Sequence, residues 1–339
     1  MMKSYLPPYV GPIIVVGVLL LVLLALPQTN DVVLGFFKGA FGGRGYFNFY
    51  TTLSRYTILL GMALAVLVAF RAGLLNIGGE GQLVLGGLTA AMVGVYLPGQ
   101  PFVVAIIALI CAMIVGGLWA LLAGVLERVS KVPLLIGSLL LNYPASYIAS
   151  YFVSHPFRDV ASGGTQSFKI MAEARLPRFT GTILDYGILL VAVTAILVIF
   201  VERRSVFGYR VRMQGYSTQF AQASGFPTGK LYYQTLAISG AIAGMTGFIA
   251  VFGLNQRYID GMLTAPLYAW TGLSAVLLAA VIPRLVPVTA FFFAVLATGA
   301  IGMERSANVP REVGQIIQAV IVLYLAGFAG KMFTGGKGH

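Results

Sequence analysis

Apolar residues in this chain come in long runs rather than in the narrow stripes of a surface helix. Ten runs approach the length of a membrane span, at 10–27, 55–70, 80–97, 102–126, 132–153, 183–201, 231–253, 267–282, 286–303 and 313–330. Crossing a bilayer takes about 20 predominantly apolar residues, within a range of roughly 17 to 25. The pattern predicts an all-α membrane protein, a polytopic helical bundle of about ten transmembrane helices forming a single domain over 1–339. Pro283-Arg284 and Pro287 divide what would be one very long run into the eighth and ninth spans, because proline breaks the helical hydrogen-bond ladder. The first run exits through Leu26-Pro27-Gln28-Thr29, which lacks the small-residue cleavage site of a signal peptide, so this span is expected to be retained.

Three connections exceed ordinary loop length: 28–54, 154–182 and 202–230. Ten spans put both termini on one side. With the N-terminus in the cytosol, twelve of the 22 Lys and Arg lie inside, including the dense group from Arg203 to Lys230, and 28–54 and 154–182 become outer loops. The inner segment is rich in arginine at its start, with Arg210 and Arg212, and then holds Gly215 and Gly225 around a stretch that includes Ala221. Two turns of helix fit between those glycines. A short helix projecting into the cytosol suits docking of a cytosolic partner.

Composition narrows the classes of function. Hydrophobic residues make up 58% of the 339 and charged residues 9%, against about a quarter charged in ordinary soluble domains. The net charge of +12 sits at the ends of apolar runs and forms no basic stripe with interleaved aromatics, which argues against nucleic-acid binding. Cys111, the single cysteine, excludes an internal disulfide and a cysteine-ligated metal site. No P-loop, His-Glu-x-x-His or Gly-x-Ser-x-Gly pattern occurs, and the two histidines, His155 and His339, fall in an outer loop and at the end of a Gly-rich tail. The expectation is a transport subunit with no catalytic residues, cofactor or metal.

Polar residues inside spans are costly and therefore informative. The densest group runs from Arg71 through Asn76, Gly78, Gly79, Glu80 and Gly81 to Gln82, and its glycines predict a broken helix near 72–82. Irregular backbone at membrane depth survives only where it is buried in protein or lines a cavity. Two readings stand for this stretch: a broken helix beside a translocation path, or a tight turn locked by the hydrogen bonds of Glu80 and Asn76. The seventh span carries Ser239, Gly240, Gly244 and Gly247 at spacings that favour close helix packing. Asn142, Tyr143, Asn255, Gln256, Trp270, Gln315 and Gln318 are further intramembrane polar candidates, as interhelical glue or as ligand contacts.

The string Gly73-Leu74-Leu75-Asn76-Ile77-Gly78-Gly79-Glu80-Gly81-Gln82 resembles the most distinctive motif of the permease subunits of bacterial ABC importers of the nucleoside and simple-sugar group, which are related to branched-chain amino acid permeases. Leu141-Asn142-Tyr143, Phe207 to Arg212, Gly215 to Gly225, Ser239 to Gly244 and Val309 to Gln318 resemble further family elements in the same order. The chain departs from the pattern at Ser217-Thr218, at Phe220-Ala221, at 131–136 and at 272–279. The resemblance implies a permease of the bacterial inner membrane that imports a solute, most similar to members that take nucleosides. It implies an extracytoplasmic solute-binding protein, separate cytosolic ATP-binding subunits and a second permease subunit, paralogous or identical. A simple sugar or other small polar solute is the alternative substrate, and a stand-alone secondary transporter or channel the alternative mechanism. Asn76, Glu80, Gln82, Asn142, Tyr143 and Trp270 are the candidate path residues, and Arg210, Arg212, Gly215, Ala221 and Gly225 the candidate coupling residues.

Overall fold

The computed structural model describes residues 29–307, together with 316 and 319. The expected first span at 10–27, most of the last at 313–330, Gln315, Gln318 and the Gly-rich tail lie outside the described residues. Within them the chain is almost wholly helical, with two isolated β-bridges. In order the helices are α1 (Thr29–Phe41), α2 (Phe47–Arg71), α3 (Gly79–Tyr96), α4 (Pro101–Ser130), α5 (Leu134–Leu140), α6 (Asn142–Ser154), α7 (Gly187–Arg204), α8 (Val206–Tyr216), α9 (Thr218–Ala223), α10 (Thr228–Ile249), α11 (Tyr268–Leu278) and α12 (Val286–Ala307). Among the described residues four helices are long and apolar enough to cross a membrane: α2, α4, α12, and α10 with its π-helical extension Ala250–Asn255.

Two expectations change in detail. The connection 28–54 is not irregular, for it contains α1. At 13 residues, with Asp31 and Lys38, that helix is too short and too charged to read as a span. The run 132–153 is not one helix but two, α5 and α6, divided at Leu141. Pro144 explains the division, since it has no N–H to donate back to the end of α5. The connection 154–182 is ordered by pairing with 256–260. Ser167 N donates to Tyr258 O at 2.8 Å, Tyr258 N donates to Ser167 Oγ at 3.0 Å, and Arg257 faces Asp159 at 3.9 Å.

The residues group into two compact units, 1–56 with 274–339, and 57–273. In the first, α1 lies along α12. Gly39 and Gly302 meet so closely that a Cβ on Gly39 would stand 2.5 Å from Gly302 Cα. Thr52 Oγ1 reaches Ala40 O at 2.7 Å and Thr298 Oγ1 at 2.8 Å, which pins the start of α2 to both helices.

The second unit is built on a seam among α3, α4 and α10. One face of α4 presents Ala108, Ala112, Gly116 and Ala120, all buried, while Phe102, Ile106, Ile110, Ile114 and Leu118 point outward. Such an arrangement, small inside and large apolar outside, suits a helix whose outer solvent is lipid. Gly240 and Gly244 of α10 pack on the backbone of Gly116 and Ala112, and Gly247 packs on Leu83 and Gly87 of α3. The glycine spacing read in the seventh span is thus a packing stripe.

Candidate translocation and coupling site

Between α2 and α3 the chain leaves the helix for residues 72–78, as the glycine-rich string predicted. Gly73 takes a positive φ of 75°, open to glycine without strain. The backbone groups released by this break must find partners, because burial without them would cost about 1–3 kcal/mol each. Three side chains supply those partners. Asn76, 3% exposed, accepts through Oδ1 from Gly78 N at 3.0 Å and from Gln82 Nε2 at 3.2 Å. Ser138 of α5 accepts from Ile77 N at 3.1 Å. Asn142, at the start of α6, accepts from Gly81 N at 2.8 Å and donates through Nδ2 to Ile77 O at 3.2 Å. Asn76 Nδ2 also donates to Ser239 Oγ of α10 at 3.4 Å, and that hydroxyl donates to Ala65 O of α2 at 2.8 Å. The break is therefore clasped from α2, α5, α6 and α10.

The predicted path residues divide into three groups. Asn76, Gln82 and Asn142 belong to the clasp. Glu80 and Trp270 pair with each other by a side-chain hydrogen bond in which the indole donates, beside a narrow cleft lined by Val66, Asn76, Ile77, Gly79, Ala269, Trp270 and Leu273. Tyr143 stands apart at 61% exposure, on the face of α6 that it shares with Tyr147 and Tyr151 four and eight residues on. Gln82 Oε1 and Trp119 Nε1 are buried polar atoms with no hydrogen-bond partner among the described residues.

The inner segment folds as α8 and α9. Ser205 caps α8 by accepting from Gly208 N at 2.9 Å, and Ser217 caps α9 by accepting from Phe220 N at 3.2 Å. Gly225 ends α9 in the left-handed conformation, and Phe226 N reaches back to Ala221 O at 3.0 Å. The two-turn helix expected between Gly215 and Gly225 is α9. Ala221 is wholly buried, whereas Tyr216 and Phe220 are 77% and 58% exposed.

This segment touches the entry to the break. A Cβ on Gly215 would run into Arg71 O, and one on Gly73 would stand 3.3 Å from Gly215 Cα. Glu202, at the end of α7, holds an ion pair with Arg71, and Arg212 lies 3.6 Å from the same carboxylate. Arg210 sits over the ring of Phe226, 5.8 Å from its centroid. Ala72, Val211 and Leu231 form a small buried core beneath, with Leu74, Phe207 and Phe226 against it. The sequence reading named Arg212 and Gly215 but missed Glu202 and Gly73 as their partners, and it missed Ser138 and Ser239 as partners of Ile77 and Asn76 in the break. Glu202 carried a usable signal, being the single carboxylate of the arginine-bearing segment 202–230; Ser138 was the single hydroxyl of the apolar stretch 134–141.

Residues 48–328 match the family described as branched-chain amino acid transport system / permease component. The chain belongs to this permease family. Among curated proteins it is 31% identical to the guanosine ABC transporter permease protein NupP of Bacillus subtilis, over 84% of this chain and 83% of that one. The glucose ABC transporter permease protein TsgB13 of Haloferax volcanii is 29% identical, with 80% of this permease and 74% of the relative covered. The nucleoside ABC transporter permease protein NupB of Lactococcus lactis is 22% identical, over 81% and 78%. Membership agrees with the apolar spans in making this permease a multi-pass transport component of the inner membrane. It also agrees with the resemblance read from the Asn76–Gln82 string.

Proposed function

We propose that this permease is the membrane-spanning subunit of an ABC importer that admits nucleosides handed over by an extracytoplasmic binding protein. The observation that carries the proposal is the pairing of Glu80 with Trp270, which lines the cleft beside the clasped break; at about 10 Å³ the cleft has room for about one water and must widen to admit a solute. An indole face suits a nucleobase, and a carboxylate suits ribose hydroxyls. The buried, unpartnered Gln82 Oε1 adds an acceptor near the same place. Asn76 and Asn142 then act by holding the cleft wall in shape, and Tyr143 offers a second aromatic face. The likeness to permeases named for guanosine and nucleosides favours this reading. The relative named for glucose favours a sugar as the second reading.

The engine is separate: ATP-binding subunits dock on α8 and α9, with Tyr216 and Phe220 as exposed anchors. Motion of this segment is passed to the break through the Gly215–Gly73 contact and the shared pairing of Arg71 and Arg212 with Glu202. Both termini lie in the cytosol, and a second permease subunit, paralogous or identical, completes the channel.

Uptake of labelled adenosine, guanosine, uridine, ribose and galactose is compared between cells with and without the gene, in a background lacking other importers. Loss of nucleoside uptake alone supports the proposal, and Trp270→Ala then raises KM for nucleosides. Loss of sugar uptake alone selects the second reading. Uptake that continues without ATP returns the chain to the class of secondary transporters.

A further inference from the structure

A second cavity lies wholly within the unit formed by α1, the start of α2 and the end of α12. It measures about 290 Å³, near the lower end for ligand sites. Lys38 of α1, Arg55 of α2 and Arg305 of α12 all line it. Asp31 and Glu304, the only acidic residues of α1 and α12, are not on its wall. Among the described residues no carboxylate pairs with any of the three cations. Three cations on one concave surface, with no carboxylate against them among the described residues, repel each other, so the arrangement is stabilised by an anion. The neighbouring hydroxyls do not compete as donors: Thr51 Oγ1 donates to Phe47 O at 3.0 Å and Ser306 Oγ to Gly302 O at 2.8 Å. The close glycine contact of Gly39 with Gly302 brings α1 and α12 near enough for the charges to converge.

The surroundings say which anion. Phe37, Phe41, Tyr46 and Phe47 are exposed beside the cavity, and Phe37, Phe41 and Phe49 stack in series at centroid distances of 6.5 and 6.1 Å. Tyr46 has the amphipathic ring that membrane proteins place at the level of lipid headgroups, and the exposed Phe37, Phe41 and Phe47 suit the acyl chains next to it. A basic cavity between helices at that depth matches the chemistry of a phosphodiester headgroup. We propose that Lys38, Arg55 and Arg305 bind the phosphate of an anionic phospholipid, whose acyl chains run along the exposed face of Leu34, Phe37 and Phe41. The site is independent of the solute that the permease carries.

The test uses the full-length chain in detergent, titrated with phosphatidylglycerol or phosphatidylcholine and read by native mass spectrometry. Phosphatidylglycerol is expected to be retained in preference to phosphatidylcholine. Lys38→Gln, Arg55→Gln and Arg305→Gln combined are expected to weaken its retention by at least about tenfold. Because Lys38 and Arg305 are exposed, the two single variants keep the fold if the triple one does not, and each is expected to lose part of the preference. Arg305→Lys is expected to keep it. Equal retention of the two lipids, or unchanged retention in all the Gln variants, overturns the proposal. A third arm adds inorganic phosphate. If phosphate alone displaces the lipid at matched concentration, the site takes a soluble anion and the assignment to lipid fails.

Discussion

The seam among α3, α4 and α10 and the clasped break at 72–78 hold helices together by opposite means. Along the middle of the seam backbone meets backbone, and the polar side-chain contact between α4 and α10 is confined to their ends, where Tyr232 donates to Glu127. Gly116, Gly240 and Gly244 remove their own Cβ atoms so that backbones meet, and Gly86 comes within 2.5 Å of Gly244 Cα by the position of its missing Cβ. At the break the backbone has left the helix, and Asn76, Ser138 and Asn142 restore the lost hydrogen bonds. In lipid no hydrophobic force drives helix against helix, so packing and hydrogen bonds must do it. The seam is therefore vulnerable to an added atom, and the break to a lost polar one. The difference also bears on function, since Asn76 and Ile77 of the break line the cleft that holds Trp270.

The largest effect is expected at the seam. Gly244→Val puts branched carbon into Ala112 O and Gly116 Cα, which are backbone and cannot rotate away. Overpacking of this kind costs about 3 kcal/mol or more. The expected outcome is little or no monodisperse protein on size exclusion, with any remainder unfolding at a lower temperature. A variant that behaves like the parent would show that α4 and α10 slide freely, and the contrast with the break would collapse.

Asn142→Leu tests the other side. Volume is nearly kept, but Gly81 N and Ile77 O lose their partners. Two orphaned groups predict a loss of about 2–4 kcal/mol. The protein is expected to assemble, to melt earlier than the parent and to lose transport. Asn142→Asp keeps the acceptor for Gly81 N and loses only the donor to Ile77 O, so it should fall between the two in thermal stability.

These two regions were unequally legible. Gly240, Gly244 and Gly247 announced the α10 face of the seam by spacing alone. Its α4 face was hidden, because Ala112, Gly116 and Ala120 are scattered through a run of Ile and Leu whose large residues face outward. The break itself was readable from Gly73, Gly78, Gly79 and Asn76 within one short string. Its clasp was not, because Ser138 and Asn142 lie about sixty positions along the chain and only tertiary packing brings them back. Proline at 144 was visible in the sequence, yet its effect on 132–153 was masked by unbroken hydrophobicity. Conversely α1 was overlooked because its 13 residues fall below the spanning length by which the chain was divided.

Gly215→Ala places the logic of the seam at the edge of the break. The added methyl meets Arg71 O, so α8 must tilt away from Gly73. The displaced contact costs about 1–3 kcal/mol, which corresponds to roughly a tenfold change in any equilibrium that needs it. With its ATP-binding subunits present, substrate-stimulated ATPase is expected to fall by about that factor, while basal ATPase and assembly stay near the parent's. Equal loss of basal and stimulated activity would mean that Gly215 serves docking rather than transmission.

The smallest effect is expected at Ser239, which belongs to both regions. It stands on α10 next to Gly240, and its hydroxyl joins Asn76 to Ala65 O. Ser239→Ala removes two hydrogen bonds without adding volume, so the seam is untouched. Asn76 keeps its bonds to Gly78 and Gln82 through Oδ1, and only its Nδ2 is left seeking an acceptor. A net loss of about 1 kcal/mol follows, with a small fall in melting temperature. Combining Ser239→Ala with Asn142→Leu then measures whether the clasp acts as a unit. Partners in one hydrogen-bond network are expected to couple by about 0.5–3 kcal/mol, whereas Ser239→Ala combined with a mild seam variant such as Ala120→Gly is expected to be additive. Additivity in the first pair would mean that the break is held by separate bonds and has no cooperative clasp to distinguish it from the seam.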